Sequence, residues 1–247
     1  MIKAIFFDFN GVIIDDELIQ MNAYKEVLKE HGIDLTEEWY MSALGMDDRT
    51  FVHAMFERAK KENSPSIVES VLNTKTELHR KMIEDELPLF PGVLNFLKAT
   101  ARHFSLGLVS MANATEIGYV FERANLGPLF SVTVMAGDVS VCKPAPDCYR
   151  LGLEKLNQHR QQQRLLPLLP SECLGIEDSP PGIQSARVAG MHTLGVTNTV
   201  SEEALRSVGA EVVTHSLADW TPDSVKHVFS GSPLVATKGQ LKENLTL

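Results

Sequence analysis

The sequence predicts an α/β protein, a doubly wound parallel sheet with an all-helical segment inserted after its first strand. Two observations carry this. Short apolar, β-rich runs alternate with stretches of helical character, and runs without polar alternation suit a parallel sheet covered on both faces. The alternation fails once, over residues 16–87, where no run reads as a strand.

The first strand is "KAIFF" (3–7). The insert follows as four amphipathic helices, "ELIQMNAYKEVLKEHG", "EEWYMSALG", "RTFVHAMFERAKKE" and "SIVESVLNTKTELHRKMIE". Gly32 and Gly45 are plausible stops and Ser64-Pro65 a start. In "LPLFPGV" (87–93) the prolines prevent helix from running through, and the chain returns to alternation. Further strands are expected at 105–110, 131–135, 172–176, 192–196 and 210–214. Helices are expected at 92–101, 114–125, 146–157 and 181–189. The glutamine-rich "NQHRQQQRLLPLLP" (157–170) reads as a surface loop. The expected organisation is a core of residues 1–15 and 88–231, a helical cap of 16–87 joined through linkers near 12–16 and 86–91, and a loosely held tail of 232–247.

Composition narrows the partners. Hydrophobic residues make up 44% of the 247, enough for a globular core, and the net charge of -9 argues against non-specific binding to nucleic acid or to an anionic membrane. Cys142, Cys148 and Cys173 show no C-x-x-C pairing and read as reduced thiols. The N-terminal apolar run is short and lacks a small-residue cleavage site, and no stretch is long enough to span a bilayer. A cytoplasmic monomer acting on a small molecule is therefore expected.

Ligands of doubly wound sheets collect at the carboxyl ends of the strands. The residues there are Asp8, then Ser110 before "MANATE", Lys143 in "VCKPAPD", and Glu177-Asp178-Ser179. Carboxylates are hard ligands for a divalent cation, and a hydroxyl with an ammonium orients phosphoryl oxygens. Together they point to a site for Mg²⁺ and a phosphate. The pattern "NATE" (113–116) also fits a capping box, with Asn113 as cap and Glu116 reaching back. A capped helix start near Ser110 is itself an anion site.

These four motifs, "DFNGV" (8–12), Ser110, "KPAPD" (143–147) and "EDSPPG" (177–182), with a helical insert after the first strand, resemble the haloacid dehalogenase superfamily. The resemblance covers nearly the whole chain and is nearest to the β-phosphoglucomutase-like phosphohydrolases. It implies a Rossmann-like core with Asp8 as the nucleophile that becomes an aspartyl phosphate. Ser110, with the backbone around Met111 and Ala112, would bind phosphate. Lys143 would pair nucleophile and phosphate. Mg²⁺ would be held by Asp8, the Asn10 carbonyl and Asp178, with Glu177 as a further ligand. The substrate would be a small phosphorylated metabolite, such as a sugar phosphate.

Asn10 departs from the pattern, since the family's phosphatases carry an aspartate acid/base there, and an amide cannot lend or take a proton. Binding should survive while turnover is attenuated; the alternatives are a catalytically disabled phosphate-binding protein or a hexose-phosphate phosphomutase. Gln20 stands where the mutase branch has a histidine, which disfavours the mutase. In the cap loop "LGMDDRTF" (44–51), which should face the crevice, Arg49 is open between contacting a second phosphate or carboxylate and a surface role on its helix. No lysine is evident in that loop. Asp15, Asp16 and Glu17 read as a solvated hinge and helix start, and all eight histidines as structure or surface.

Overall fold

The structure is a computed structural model and describes residues 1–230. The expected tail, 232–247, lies outside the described residues. The elements in chain order are β1 (Ala4–Phe7), α1 (Glu17–Glu30), α2 (Glu37–Met41), α3 (Asp48–Arg58), α4 (Pro65–Met82), α5 (Val93–Thr100), β2 (Ser105–Val109), α6 (Ala114–Ala124), β3 (Val132–Val134), α7 (Asp147–Gln162), β4 (Cys173–Glu177), α8 (Pro180–Val188), β5 (His192–Val196), α9 (Glu202–Ser207), β6 (Val212–Thr214) and α10 (Pro222–Val228). The six strands form one sheet in the order β3-β2-β1-β4-β5-β6, and every pairing is parallel.

β1 shows why the strand runs are continuously apolar. Successive side chains point to opposite faces. Ile5 and Phe7 pack with Phe96 and Leu97 of α5, Ile117 of α6 and Val225 of α10. Ala4 and Phe6 pack on the other face with Tyr149 and Leu153 of α7 and Ala186 of α8. With both faces covered, no position is left for a polar residue. The ring of Phe6 also explains Gly107 in the neighbouring strand, where a Cβ would lie 2.4 Å from Phe6 Cδ1. Phe6→Ala should therefore cost about 3–5 kcal/mol, the range for emptying a fully buried aromatic site. Urea denaturation should show it as a lower midpoint with little change in slope.

The helical insert has an apolar cluster of its own, built from Tyr24, Val27 and Leu28 of α1, Val52, Met55 and Phe56 of α3, and Val68 and Val71 of α4. Its two connections to the sheet pair with each other. Asp15 N donates to Pro88 O at 2.6 Å, Phe90 N donates to Ile13 O at 3.2 Å, and Ile14 and Leu89 form an antiparallel bridge. No helix among the described residues is long and apolar enough to cross a membrane.

Three expectations are corrected. The stretch 157–170 is not loop throughout, because α7 continues to Gln162; Gln and Arg are good helix formers, and the helix stops before Pro167. Short α9 and α10 were not foreseen. Each has only one buried residue, Leu205 or Val225, so neither carries a readable apolar period; their signals are the caps Ser201 and Thr221. The third concerns residues 15–17 and belongs to the site.

Candidate active site

The order of the sheet reverses beside β1, whose neighbours are β2 and β4, and the crevice opens at the carboxyl ends of these strands. Asp8 follows β1 directly, and its Oδ1 accepts from Phe9 N at 2.8 Å. Lys143 Nζ, brought in by the loop before α7, lies 3.0 Å from Asp8 Oδ2 and 2.6 Å from Glu177 Oε1, and donates to Val109 O at 3.2 Å. Burial alone would lower the pKa of this ammonium, but the charges of Asp8 and Glu177 outweigh it and hold Lys143 protonated. Ser110 ends β2, is buried, and its Oγ accepts from Ala112 N at 3.1 Å. Met111 and Ala112 line the crevice with it. Ser179 caps α8 by accepting from Gly182 N at 3.3 Å, which leaves Asp178 facing the crevice.

The donor set fits a divalent cation. Asp8, Glu177 and Asp178 each offer a carboxylate oxygen, all within 4.8 Å of one another. Burial, and then the charge of Asp8, pushes Asp178 up to about 7. Glu177 Oε2 is buried without a hydrogen-bond partner. Crowded carboxylates and an orphaned oxygen are what a hard cation would relieve. Asp178 is further held by Thr199 Oγ1, and Glu177 Oε1 by Tyr149. Asn198 Nδ2 donates to Gly11 O at 2.7 Å. None of these three supports was foreseen. Thr199 and Asn198 sit in a loop with no motif, and Tyr149 reads as core.

The wall contributed by the insert differs most from expectation. Asp16 is not solvated but fully buried. It accepts from Asn10 Nδ2 at 2.9 and 3.0 Å, from Gln20 Nε2 at 3.0 Å, and contacts His79 Nε2 at 2.8 Å. Glu17 lines the crevice and accepts from Tyr40 Oη at 2.8 Å. Burial, then the charges of Asp178 and Asp16, push it up to about 8. Glu116 does not reach back to complete a capping box. Asn113 caps α6 as expected, but the Glu116 carboxylate turns to the insert and accepts from Lys75 Nζ at 2.9 Å and Gln20 Nε2 at 3.0 Å. Lys75, from α4, also donates to Asp48 at 3.1 Å, so one buried ammonium ties the insert to α6. Lys75 does not stand in for the lysine absent from the 44–51 loop, since it is buried in these two ion pairs and does not line the crevice. The loop itself faces the crevice through Leu44, Gly45, Met46 and Asp48. Arg49 does not: its guanidinium pairs with Glu69 at 2.7 Å, and both side chains are exposed. Of the residues read as substrate-binding, Ser110, Met111, Ala112, Lys143 and Gln20 converge on the crevice and Arg49 stays outside it.

A fold with this strand order, four motifs at the strand ends and a helical insert over them defines a class of hydrolase. The chain belongs to the haloacid dehalogenase-like hydrolases, whose family model matches residues 2–190. It is 28% identical over 216 residues to a phosphorylated carbohydrates phosphatase of Thermotoga maritima, covering 84% of this chain and 92% of that one. In structure it resembles β-phosphoglucomutase from Clostridium difficile, with a TM-score of 0.79 at 22% identity over 93% of this chain and 98% of that one. It also resembles a CbbY variant from Rhodobacter sphaeroides solved with xylulose-(1,5)-bisphosphate, with a TM-score of 0.74 at 23% identity over 89% of this chain and 96% of that one.

Proposed function

We propose that the chain is a Mg²⁺-dependent phosphomonoester hydrolase of small phosphorylated metabolites, sugar phosphates among them, with turnover attenuated by Asn10. The observation that carries this reading is Lys143 seated between Asp8 and Glu177, with Ser110 and Asp178 lining the same crevice. The relative named for phosphorylated carbohydrates supports the substrate class.

Asp8 attacks the phosphorus, the bond to the substrate's alcohol oxygen breaks, and an aspartyl phosphate forms. Water then displaces Asp8 and releases phosphate. Lys143 and Ser110 hold the phosphoryl oxygens as their charge rearranges. Asp8, the Asn10 carbonyl, Asp178 and Glu177 would hold Mg²⁺, which when bound neutralises phosphate charge facing the carboxylates. The alcohol must gain a proton and the water must lose one, and Asn10 can do neither. The helical insert acts as the cap, excluding water over the site.

Asp178→Ala should abolish Mg²⁺ binding in calorimetry and Mg²⁺-dependent hydrolysis of p-nitrophenyl phosphate together. Unchanged Mg²⁺ affinity would remove Asp178 from the metal site.

A further inference from the structure

The cap side of the crevice limits what can be attached to the phosphate. Among the described residues lining it, Lys143 is the only lysine or arginine, and it is held by Asp8 and Glu177. Two cations of the cap are also taken, Lys75 by Asp48 and Glu116, and Arg49 by Glu69 on the outside. Among the described residues lining the crevice, no unpaired lysine or arginine is left for a second anionic group. A phosphate or carboxylate at the far end of a substrate would instead meet Asp48 and Glu116. Charge of the wrong sign in a desolvated crevice is a strong means of rejection.

What the cap does offer is oxygen. Gln20 is buried in this wall, and its orientation is fixed. Its Nε2 donates to both Asp16 and Glu116, so a flipped amide would set oxygen against two carboxylates. Its Oε1 therefore stays an acceptor, and it has no hydrogen-bond partner among the described residues. A buried, unpaired acceptor is costly unless a donor arrives. Beside it stand Glu17, Tyr24 and Tyr40, each with a hydroxyl or carboxyl oxygen. The carboxyl of Glu17 already accepts from Tyr40 Oη at 2.8 Å within the crevice, and so is placed to accept from a substrate hydroxyl as well.

Building on the phosphatase reading, we infer that the cap wall is a subsite for a neutral, hydroxyl-bearing leaving group, with Gln20 Oε1 and Glu17 as its hydrogen-bonding partners, and that it selects sugar and polyol monophosphates against bisphosphates and phosphocarboxylates. A site that pairs a substrate hydroxyl discriminates strongly, because the wrong ligand leaves buried groups unpaired.

The test is equilibrium binding by calorimetry with Mg²⁺, using the chain as it stands, with phosphate release followed in the same samples so that turned-over probe is accounted for. The probes are glucose 6-phosphate, glucose 1,6-bisphosphate and 3-phosphoglycerate. Hydrolysis of p-nitrophenyl phosphate is assayed alongside, on this chain and on Asn10→Asp. The monophosphate should bind at least about tenfold more tightly than either anionic-tailed probe, and Gln20→Leu should narrow that ratio severalfold. Equal or tighter binding of the bisphosphate or the phosphoglycerate overturns the subsite, as does binding of none of the three. Absence of p-nitrophenyl phosphate hydrolysis in both proteins overturns the phosphatase reading instead, and the binding ratio still decides the subsite.

Discussion

Asp8→Asn is expected to remove phosphatase turnover, by on the order of 10⁶-fold, the scale seen when a covalent nucleophile is lost. The amide keeps the shape of the carboxylate but has neither its charge nor its nucleophilic oxygen. The same change separates function from folding. Asp8 is a charge that pushes Asp178 and Glu177 upward, so its removal relieves repulsion in the crevice. Lys143 keeps Glu177 as a partner at 2.6 Å. The melting temperature of the Mg²⁺-free protein should therefore hold or rise while the rate collapses, as expected of a residue kept for chemistry at some cost in stability. Single-turnover and steady-state assays with p-nitrophenyl phosphate, beside a calorimetric melt, measure both. Turnover within tenfold of the original would take the nucleophile's role away from Asp8.

How much of this site was legible in the sequence depended on where each residue's partners lie along the chain. Asp8, Ser110, Glu177 and Asp178 stand at or just past the ends of apolar runs, and in a parallel sheet that position alone assigns them to one edge, while Lys143 follows its strand by a loop. The cap wall had no such rule. Asp16 looks like a surface acid at a helix start, and its burial rests on His79, 63 residues away. Glu116 looks like a capping residue, and it turns to Lys75, 41 residues away, because a buried ammonium outweighs one more backbone donor. Arg49, open in the sequence between the crevice and the surface, falls on the surface. Its loop was placed correctly at the crevice, but the helix that begins there turns the guanidinium out to Glu69. Strand-end chemistry is a local signal, whereas the fit of one helix against another is not.

Asn10→Asp is expected to raise kcat by roughly 10²–10⁴, the contribution of a general acid/base. The structure adds a cost. Asn10 Nδ2 donates to both oxygens of buried Asp16, and an aspartate there would face that carboxylate with no proton between them. Two carboxylates so close cannot both ionise, so one takes up a proton or the new side chain swings away. Swinging into the crevice places it where the alcohol leaves, which is why rate should rise even as the hinge loses a charged hydrogen-bond pair. The loss should be about 1.5–3 kcal/mol, visible as a lower melting temperature. Asn10 is thus matched to Asp16, and Asn10→Asp with Asp16→Asn should recover the lost stability while keeping the rate. Spontaneous conversion at Asn10-Gly11 will not supply the aspartate. The attacking atom in that reaction is the Gly11 nitrogen, which donates to Ile14 O at 2.9 Å, and the amide it must reach is tied to Asp16. Peptide mass spectrometry of aged protein should show no one-dalton gain at position 10, so any residual rate belongs to the asparagine form. A gain below tenfold in Asn10→Asp would mean that another group already moves the proton. Glu17, held by Tyr40 in the same crevice and pushed up to about 8, is the residue Glu17→Gln would then examine.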